Sequence, residues 1–492
     1  MISKSIVNHG DLAMYSGVFE KLSANRCLRI TAIGGSVTQG HFNHTLIPAQ
    51  MRWPEQLEQL LNMRFPCTDP AGGHKVSNQG RGSTTPGLWV EKLVGQQEEI
   101  FRGVDLVIIE TAVNQVAGRE QSQMDAEVLM SLVTKQTRRL ALNKDPAASN
   151  PTPATAAAAA AARRLALDGS VAAAAAAGTA AAGNGSSDLQ QQTAAAVRSF
   201  TGTAVMWVVA STRRFTPVWT GVPYERVSDA MYAQLPVAQH HGVPIISVID
   251  ALGPFPTPAL QAWFNDTWYR GDMVHPSVWG HTLLADLVYR YVDMAYQHSR
   301  LWQMYDLPKQ YVPREPRFAD PQDLDMFLDA RPVSITLCNM GDVSVRKVTQ
   351  CNGWWAYADV PEKIGYIASR PNAECVLSLT PPEVRRLSLG KAHVMLLKSY
   401  ENMGVFEMTI MAGPAAANGS CKGAADNLSS AAVLGSAEVD CLWDEHASLG
   451  KVAKVEFKLP PQDNATCLLA KLKVKDVNRA KNKVKLLGIQ FF

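Results

Sequence analysis

The sequence predicts a three-layer α/β/α domain with a parallel sheet, of the flavodoxin-like kind, followed by a C-terminal β-sandwich. Two observations lead to this fold class. Between residues 28 and 300, short apolar runs alternate with helical patterns, which is typical of a doubly wound parallel sheet. Beyond residue 326, short runs of alternating character follow one another with turn residues between them, which is typical of a sandwich.

Each element of the α/β part has its own signal. Five apolar runs are predicted to be strands buried on both faces, at 28–34, 74–80, 104–114, 203–212 and 243–250. Apolar residues at helical spacing predict the helices, at 53–65, 125–142, near 224–241 and at 281–296. Eight further runs predict the strands of the sandwich, from VSITLCN at 333–339 to VKLLGIQFF at 484–492.

These patterns divide the chain into five segments. We expect them at 1–145 (α/β domain, first part), 146–197 (Ala-rich insertion), 198–304 (α/β domain, second part), 305–325 (linker) and 326–492 (β-rich domain). The insertion has few large side chains to bury, so it is predicted to lie outside the core. A surface loop between a helix and the next strand lengthens at small entropic cost.

Composition bears on partners and on compartment. The 47 basic and 44 acidic residues give a formal net charge of +3, which offers no reason to expect a nucleic-acid partner. No apolar run reaches the roughly 18 residues of a membrane span, and the first residues lack the apolar core of a signal peptide, so the chain reads as soluble.

Cysteines and glycosylation sequons point towards secretion instead. Six of the 8 cysteines lie in the last third of the chain, which suits disulfides formed in a secretory compartment. Six N-x-S/T sequons occur, at Asn43, Asn184, Asn265, Asn418, Asn427 and Asn464. A truncated N-terminus would reconcile the two sets of signals, and the localisation stays open.

The residues with chemical potential follow the predicted strands. Ligands of open parallel sheets bind beyond the carboxyl ends of the strands. The four segments that carry these residues are therefore expected to meet there. The four segments are GGSVTQG (34–40), NQGRGSTT (78–85), ETAVNQ (110–115) and DMVHPSVWGH (272–281).

The last segment pairs an acid with a base. Asp272 and His275 are three residues apart, so one turn can set the carboxylate against imidazole Nδ1. Nε2 of His275 is then available to take the proton of a hydroxyl. The serine hydroxyl of Ser36 needs such a base to become a nucleophile. The pattern indicates nucleophilic catalysis by serine.

An acyl-transfer reaction also needs donors for the developing oxyanion. Three groups have the right chemistry: the backbone N–H of Ser36, a backbone N–H at Gly82 or Ser83, and the side-chain amide of Asn114. We expect them to form the oxyanion hole.

In order and spacing, GGSVTQG, NQGRGS, AVN and DMVHP resemble the motifs of the SGNH (GDSL-like) hydrolases, over about 28–145 and 198–300. The resemblance implies ester hydrolysis through an acyl-enzyme, without a metal or a cofactor. It implies Ser36 as the nucleophile, the loop glycine and Asn114 as oxyanion donors, and Asp272 with His275 as the acid–base pair.

Three positions depart from the family pattern. Gly35 stands where the family commonly has aspartate, and Gln115 replaces a frequent aspartate. Counted from Asn78, Gly82 lies one place before the usual glycine, which makes Ser83 a second candidate donor. The nucleophile, the base and the orienting acid are unaffected, but the oxyanion assignment stays open.

Other signals favour structural roles. His281 is expected to start the last helix rather than to bind a metal, since no third ligand has suitable spacing. His240 and His241 are expected to end a helix, where positive charge suits the dipole. Trp354 and Trp355 could stack on a sugar, but a place in the sandwich core is favoured.

The sequence therefore predicts a serine esterase acting on an acyl ester, with an O-acetyl group on carbohydrate as the first choice. KSYENMG (398–404) and the final VKLLGIQFF resemble the β-rich accessory module of some green-lineage SGNH proteins, which favours a glycan ester. The alternatives are a lipid or small-ester hydrolase, an acyltransferase to a glycan, and an inactive glycan-binding protein on the same scaffold.

Overall fold

The structure is a computed structural model. It describes residues 2–42, 45–68, 72–111, 119–142, 203–210, 233–252, 275–304, 314, 316–317, 319, 332–337, 348–358, 364–443, 448–477, 479 and 481–492. The Ala-rich insertion and two of the predicted site residues, Asn114 and Asp272, lie outside these residues.

The N-terminal part is built from short strands and longer helices. Its described strands are β1 (Ile6–Asn8), β2 (Arg29–Gly34), β3 (His41–Phe42), β4 (Thr45–Leu46), β5 (Lys75–Asn78), β6 (Leu106–Glu110), β7 (Ala204–Val209) and β8 (Ile245–Ser247). Its described helices are α1 (Ile2–Ser5), α2 (Ser16–Ser23), α3 (Ser36–Gln39), α4 (Trp53–Arg64), α5 (Pro86–Phe101), α6 (Arg119–Leu142), α7 (Gln234–His241), α8 (Val248–Leu252) and α9 (Val278–Met304).

Six of these strands form one sheet in the order β1-β8-β7-β6-β2-β5. The five predicted strands pair in parallel, as expected. The edge strand β1 was not predicted, and it pairs antiparallel with β8. It has only three residues, of which one is buried, so its sequence carries almost no strand signal.

Helices cover both faces of the sheet. Helices α2 and α4 pack against α9, and helices α5 and α7 pack against α6. The buried core between these layers includes Trp53, Trp89 and Trp207. The predicted three-layer α/β/α arrangement is confirmed.

One predicted strand is shorter than expected. The apolar run 243–250 forms strand only at β8, and its end belongs to helix α8. The Asp250 backbone N–H donates to the hydroxyl of Ser247 at 3.2 Å, so this serine caps the helix where the strand ends. A short apolar run does not by itself distinguish strand from helix.

The C-terminal part contains the remaining described elements. Its strands are β9 (Val333–Thr336), β10 (Val348–Asn352), β11 (Trp354–Ala358), β12 (Ile364–Ala368), β13 (Glu374–Leu379), β14 (Lys391–Lys398), β15 (Val405–Pro414), β16 (Ala432–Asp440), β17 (Leu449–Glu456), β18 (Thr466–Val474) and β19 (Val484–Phe491). Two short helices, α10 (Pro381–Val384) and α11 (Lys422–Asp426), join them.

These strands form two antiparallel sheets. One has the order β10-β13-β18-β15-β16, and the other has the order β11-β12-β19-β14-β17 with β9 paired to β19. Phe406, Leu472 and Phe491 belong to a buried cluster that includes residues of both sheets. The predicted β-sandwich is confirmed. Three strands, β10, β12 and β16, were not predicted.

Three disulfides bind segments together, as the cysteine content suggested. They join Cys27 to Cys67, Cys351 to Cys375 and Cys421 to Cys467. Cys441 is a buried free thiol. Within the described ranges, no helix combines the length and the apolarity that a membrane span requires.

Candidate active site

Ser36 lies on a tight turn at the carboxyl end of the central strand β2. The strand ends at Gly34, Gly35 precedes the short helix α3, and Ser36 is its first residue. A Cβ at Gly34 would overlap Thr38 Oγ1 and lie 2.5 Å from the carbonyl oxygen of Glu110. The lack of a side chain at Gly34 therefore lets the chain turn directly above the sheet.

His275 meets Ser36 at this turn. His275 Nε2 lies 2.7 Å from Ser36 Oγ, which is a hydrogen-bond distance. Three residues later the chain enters helix α9, after the buried Pro276. This geometry places a base at the hydroxyl without any other group between them. Asp272 belongs to the segment outside the described residues.

The loop at 80–85 packs directly on the turn that carries Ser36. The carbonyl oxygen of Gly34 accepts three hydrogen bonds from this loop and the helix after it: from Arg81 N–H (3.0 Å), the Thr84 hydroxyl (2.9 Å) and the Trp89 indole N–H (3.1 Å). A Cβ at Gly80 would overlap Gln39 N and lie 2.6 Å from Thr38 C. The loop is therefore held against the turn and helix α3 by hydrogen bonds and close packing.

Two of the predicted oxyanion donors lie in this loop. The Gly82 N–H donates to Gln39 Oε1 at 2.6 Å, so the Gln39 side chain engages it. Ser83 has a left-handed backbone (φ 63°), and its carbonyl oxygen accepts the Gly450 N–H at 2.8 Å. Of the other two candidates, the Ser36 N–H lies at the start of helix α3, and Asn114 lies outside the described residues. The oxyanion assignment remains a prediction.

Gln39 and His41 were not predicted from the sequence, although both lie within five residues of Ser36. His41 Nε2 is 3.2 Å from Gln39 Oε1. Because the Gly82 N–H donates to the same atom, that atom is the amide oxygen, and His41 Nε2 must carry a proton. The rings of His41 and His275 are 5.7 Å apart, so His41 forms part of the wall beside the candidate base.

Glu110 is a further buried group near Ser36, and no sequence motif predicted a role for it at the site. The Thr38 hydroxyl donates to Glu110 Oε2 at 2.9 Å, and the Gly35 N–H donates to its carbonyl oxygen at 3.0 Å. Burial raises the pKa of Glu110 to about 8, so its carboxyl group is protonated at neutral pH. A neutral acid thus lies beneath the turn that carries Ser36.

His281 is a structural residue, as expected. It lies in the first turn of α9 and is completely buried. The Trp53 N–H donates to His281 Nδ1 at 3.3 Å. Burial lowers the pKa of His281 to about 3, so the ring is neutral and its Nδ1 accepts.

Within the described ranges, one group has the composition of a metal site. Donor atoms of Glu127, His240 and His241 lie within 4.8 Å of one another. The carboxylate already accepts the backbone N–H groups of Arg317 (2.7 Å) and Ala319 (2.5 Å), and it contacts His241 Nε2 at 3.1 Å. Through these contacts Glu127 of helix α6 binds the backbone of Arg317 and Ala319. The two histidines end helix α7, as predicted.

The adjacent tryptophans have different environments. Trp354 is buried in the sandwich and stacks on Tyr366 at 6.1 Å, as expected. The prediction was wrong for Trp355, which is 41 % exposed on the same strand. Successive residues of a strand face opposite sides of the sheet, so the two cannot share one environment.

A three-layer α/β/α part joined to a β-rich part is a fold that this chain shares with an esterase of known structure. In particular, the whole chain resembles the crystal structure of a two-domain esterase (CEX) active on acetylated mannans: 17 % identity, 100 % of this chain and 98 % of that chain covered, TM-score 0.50. At this identity the likeness shows the fold.

Two further solved structures cover only part of the chain. A carbohydrate acetylesterase family member from Sinorhizobium meliloti covers 55 % of this chain and 99 % of its own, with 12 % identity and a TM-score of 0.32. A peptidoglycan O-acetylesterase covers 60 % and 99 %, with 12 % identity and a TM-score of 0.36. At these scores they add nothing to the fold assignment. No family model and no curated protein matches the sequence.

Proposed function

We propose that the protein is a serine esterase that removes O-acetyl groups from carbohydrate through an acyl-enzyme. The distance of 2.7 Å between His275 Nε2 and Ser36 Oγ carries the proposal. It gives the hydroxyl a general base within direct reach, at the edge of the sheet where ligands of this fold class bind.

The reaction has two halves. In the first, His275 Nε2 takes the Ser36 proton while Oγ attacks the ester carbonyl carbon, and the same proton then passes to the leaving sugar oxygen. In the second, His275 takes a proton from water, and the resulting oxygen nucleophile attacks the acetyl-serine. Acetic acid leaves and ionises to acetate in solution, and the proton held by His275 returns to Ser36 Oγ. Each half returns the imidazole to the state in which it began.

Three further roles belong to the proposal. Asp272 orients His275 and stabilises its protonated form. The Ser36 N–H, a backbone N–H at Gly82 or Ser83, and Asn114 are the proposed donors to the oxyanion. For Gly82 to act, the amide of Gln39 must release its N–H as substrate binds, since it engages that N–H here.

The choice of an acetylated carbohydrate has two supports. A two-domain esterase of the same overall fold is active on acetylated mannans. The disulfides and the exposed sequons at Asn418, Asn427 and Asn464 suit a protein of the secretory route, where extracellular polysaccharides are met.

Release of acetate tests the proposal. We expect wild type to release acetate from p-nitrophenyl acetate and from one or more of acetylated mannan, xylan and pectin, and Ser36→Ala to release none above background. Ser388→Ala, which changes an exposed serine of the β-rich part, is the matched control and should behave as wild type. If wild type and Ser36→Ala release acetate equally, the proposal fails.

A further inference from the structure

We propose that the β-rich part holds the loop at 80–85 in its working conformation, which makes Gly450 a positioning residue for ester hydrolysis. This inference rests on the proposed function. It assigns the second part of the chain a role in the chemistry itself, in addition to any contact with a glycan.

Gly450 forms two backbone hydrogen bonds with the loop. Its N–H donates to the carbonyl oxygen of Ser83 at 2.8 Å, and its carbonyl oxygen accepts the Thr85 hydroxyl at 3.4 Å. Gly450 lies in β17, the edge strand of its sheet, opposite Leu397 of β14. Both of its backbone polar groups therefore point away from the sheet and towards the loop.

A side chain at this position would displace its neighbours. A Cβ at Gly450 would lie 2.5 Å from Leu88 Cδ2 and 3.2 Å from the carbonyl oxygen of Ser83. The strand edge thus lies close enough to the loop that an added side chain would push aside the end of the Leu88 side chain and shift Ser83. The absence of a side chain here serves the contact rather than a turn.

The loop has a reason to need this support. Ser83 holds a left-handed backbone at φ 63°, a conformation that disfavours residues with a Cβ by about 1–2 kcal/mol. Such strain persists only where the surroundings impose it. The hydrogen bond from Gly450 acts on the carbonyl group of this same residue.

On its other side the loop is fixed to the turn that carries Ser36. The Gly82 N–H donates to Gln39 Oε1, and the Arg81 N–H donates to the carbonyl oxygen of Gly34. The loop is therefore a bridge with the candidate nucleophile on one side and Gly450 on the other. A shift of Ser83 changes the distance between the candidate oxyanion donors and Ser36 Oγ.

Further buried contacts join helix α5 and the N-terminal core to the β-rich part. In helix α5, which follows the loop, Glu91 Oε1 lies 2.7 Å from His393 Nδ1, and both side chains are buried. The side chain of Gln490 donates to the carbonyl oxygen of Glu91 at 2.7 Å. Phe492 directly follows strand β19 of the sandwich, but its side chain is part of the buried core of the N-terminal part.

The direct test removes the N–H of Gly450. Gly450→Pro deletes the N–H that donates to Ser83, and its ring adds atoms where the loop lies close. Val452→Pro is the matched control, because alternation along β17 turns its N–H to the same side two residues away from the contact. The readouts are kcat and KM for p-nitrophenyl acetate, together with the melting temperature.

We expect kcat of Gly450→Pro to fall by about 10–100-fold, as for a misplaced catalytic group, while KM stays close to wild type. Val452→Pro should keep the wild-type kcat. A Gly450→Pro protein that is folded and has the kcat of Val452→Pro overturns the inference. So does a loss of kcat that only follows a lowered melting temperature, since that result indicates a purely structural contact.

A milder pair covers the case in which the proline variants do not fold. Gly450→Ala forces Leu88 and Ser83 to move, whereas Gly423→Ala adds a methyl group where no atom lies within 4 Å. We expect a lowered kcat for the first and wild-type kcat for the second, and equal values overturn the inference. A wild-type protein without esterase activity points instead to failure of the proposed function.

Discussion

His275 and Ser36 are separated by 239 positions in the sequence, and His275 Nε2 nevertheless lies 2.7 Å from Ser36 Oγ. The first strand of the parallel core delivers the serine, and the segment before the last helix delivers the histidine. Both reach the same edge of the sheet because that is where the chain leaves its parallel strands. This pair is the basis of the proposed chemistry.

Removing the base should abolish most of the activity while leaving substrate binding intact. His275→Ala is expected to lower kcat by about 10²–10⁴-fold, the usual contribution of a general base, with little change in KM. Steady-state kinetics on p-nitrophenyl acetate measures both. His298→Ala, on the exposed side of α9, is the control. A His275→Ala variant with wild-type kcat contradicts the assignment of the base.

Glu110 should make stability depend on pH. Burial raises the pKa of Glu110 from its ordinary value of 4.5 to about 8, so the native state keeps a proton that the unfolded chain loses. The unfolded state binds fewer protons between these values, and the free energy of unfolding therefore falls as the pH rises through this window. Below about pH 4.5 the carboxyl group is protonated in both the native and the unfolded state, so it adds no pH dependence to the free energy of unfolding.

Glu110→Gln has no proton to lose and should escape this effect. Relative to wild type, its free energy of unfolding should gain about 1.4 kcal/mol per pH unit across the window. Urea unfolding of both proteins at pH 5, 6, 7 and 8 measures how the difference in the free energy of unfolding changes with pH. A difference that is constant with pH is the result that contradicts this prediction.

Gly80→Ala should damage the site more than the fold. The added Cβ would overlap Gln39 N and lie 2.6 Å from Thr38 C, which are backbone atoms that cannot rotate away. Helix α3 must then shift, and Ser36 with it, so we expect kcat to fall by about 100-fold. Kinetics and circular dichroism on Gly80→Ala and Gly423→Ala check this. Equal activity of the two variants would show that the loop does not set the position of Ser36.

The disulfide between Cys421 and Cys467 should stabilise the sandwich. It closes a sequence separation of 46 residues between helix α11 and strand β18. Replacing both cysteines with alanine is expected to lower the free energy of unfolding by about 2–4 kcal/mol. Urea unfolding followed by fluorescence measures it, and wild type in reductant provides an independent comparison. An unchanged unfolding midpoint argues against a stabilising bond.

Much of the fold could be predicted because buried parallel strands are continuous apolar runs. Strands β2, β6 and β7 are buried almost throughout, and their sequences leave little choice. Strand β16 is mostly exposed, so it lacks the apolar alternation that identifies a strand. Strand β8 was predicted too long because the signal that ends it is one hydroxyl, that of Ser247.

The site was only partly predictable for a different reason. Ser36 and His275 stand in short motifs whose residue types indicate their chemistry. The contacts of Gln39 with Gly82, and of Thr38 with Glu110, span 43 and 72 positions and depend on how the strands are ordered. The contact of Thr85 with Gly450 spans 365 positions and joins two parts with separate patterns. No local pattern contains such information.

Covalent labelling of Ser36 tests the central claim most directly. Wild type would be treated with a serine-directed fluorophosphonate, and the modified residue identified by mass spectrometry of its peptides, beside Ser36→Ala and His275→Ala. The account predicts a single adduct on Ser36 in wild type, none in Ser36→Ala, and much slower labelling in His275→Ala. No adduct on Ser36, or labelling that does not depend on His275, would contradict it.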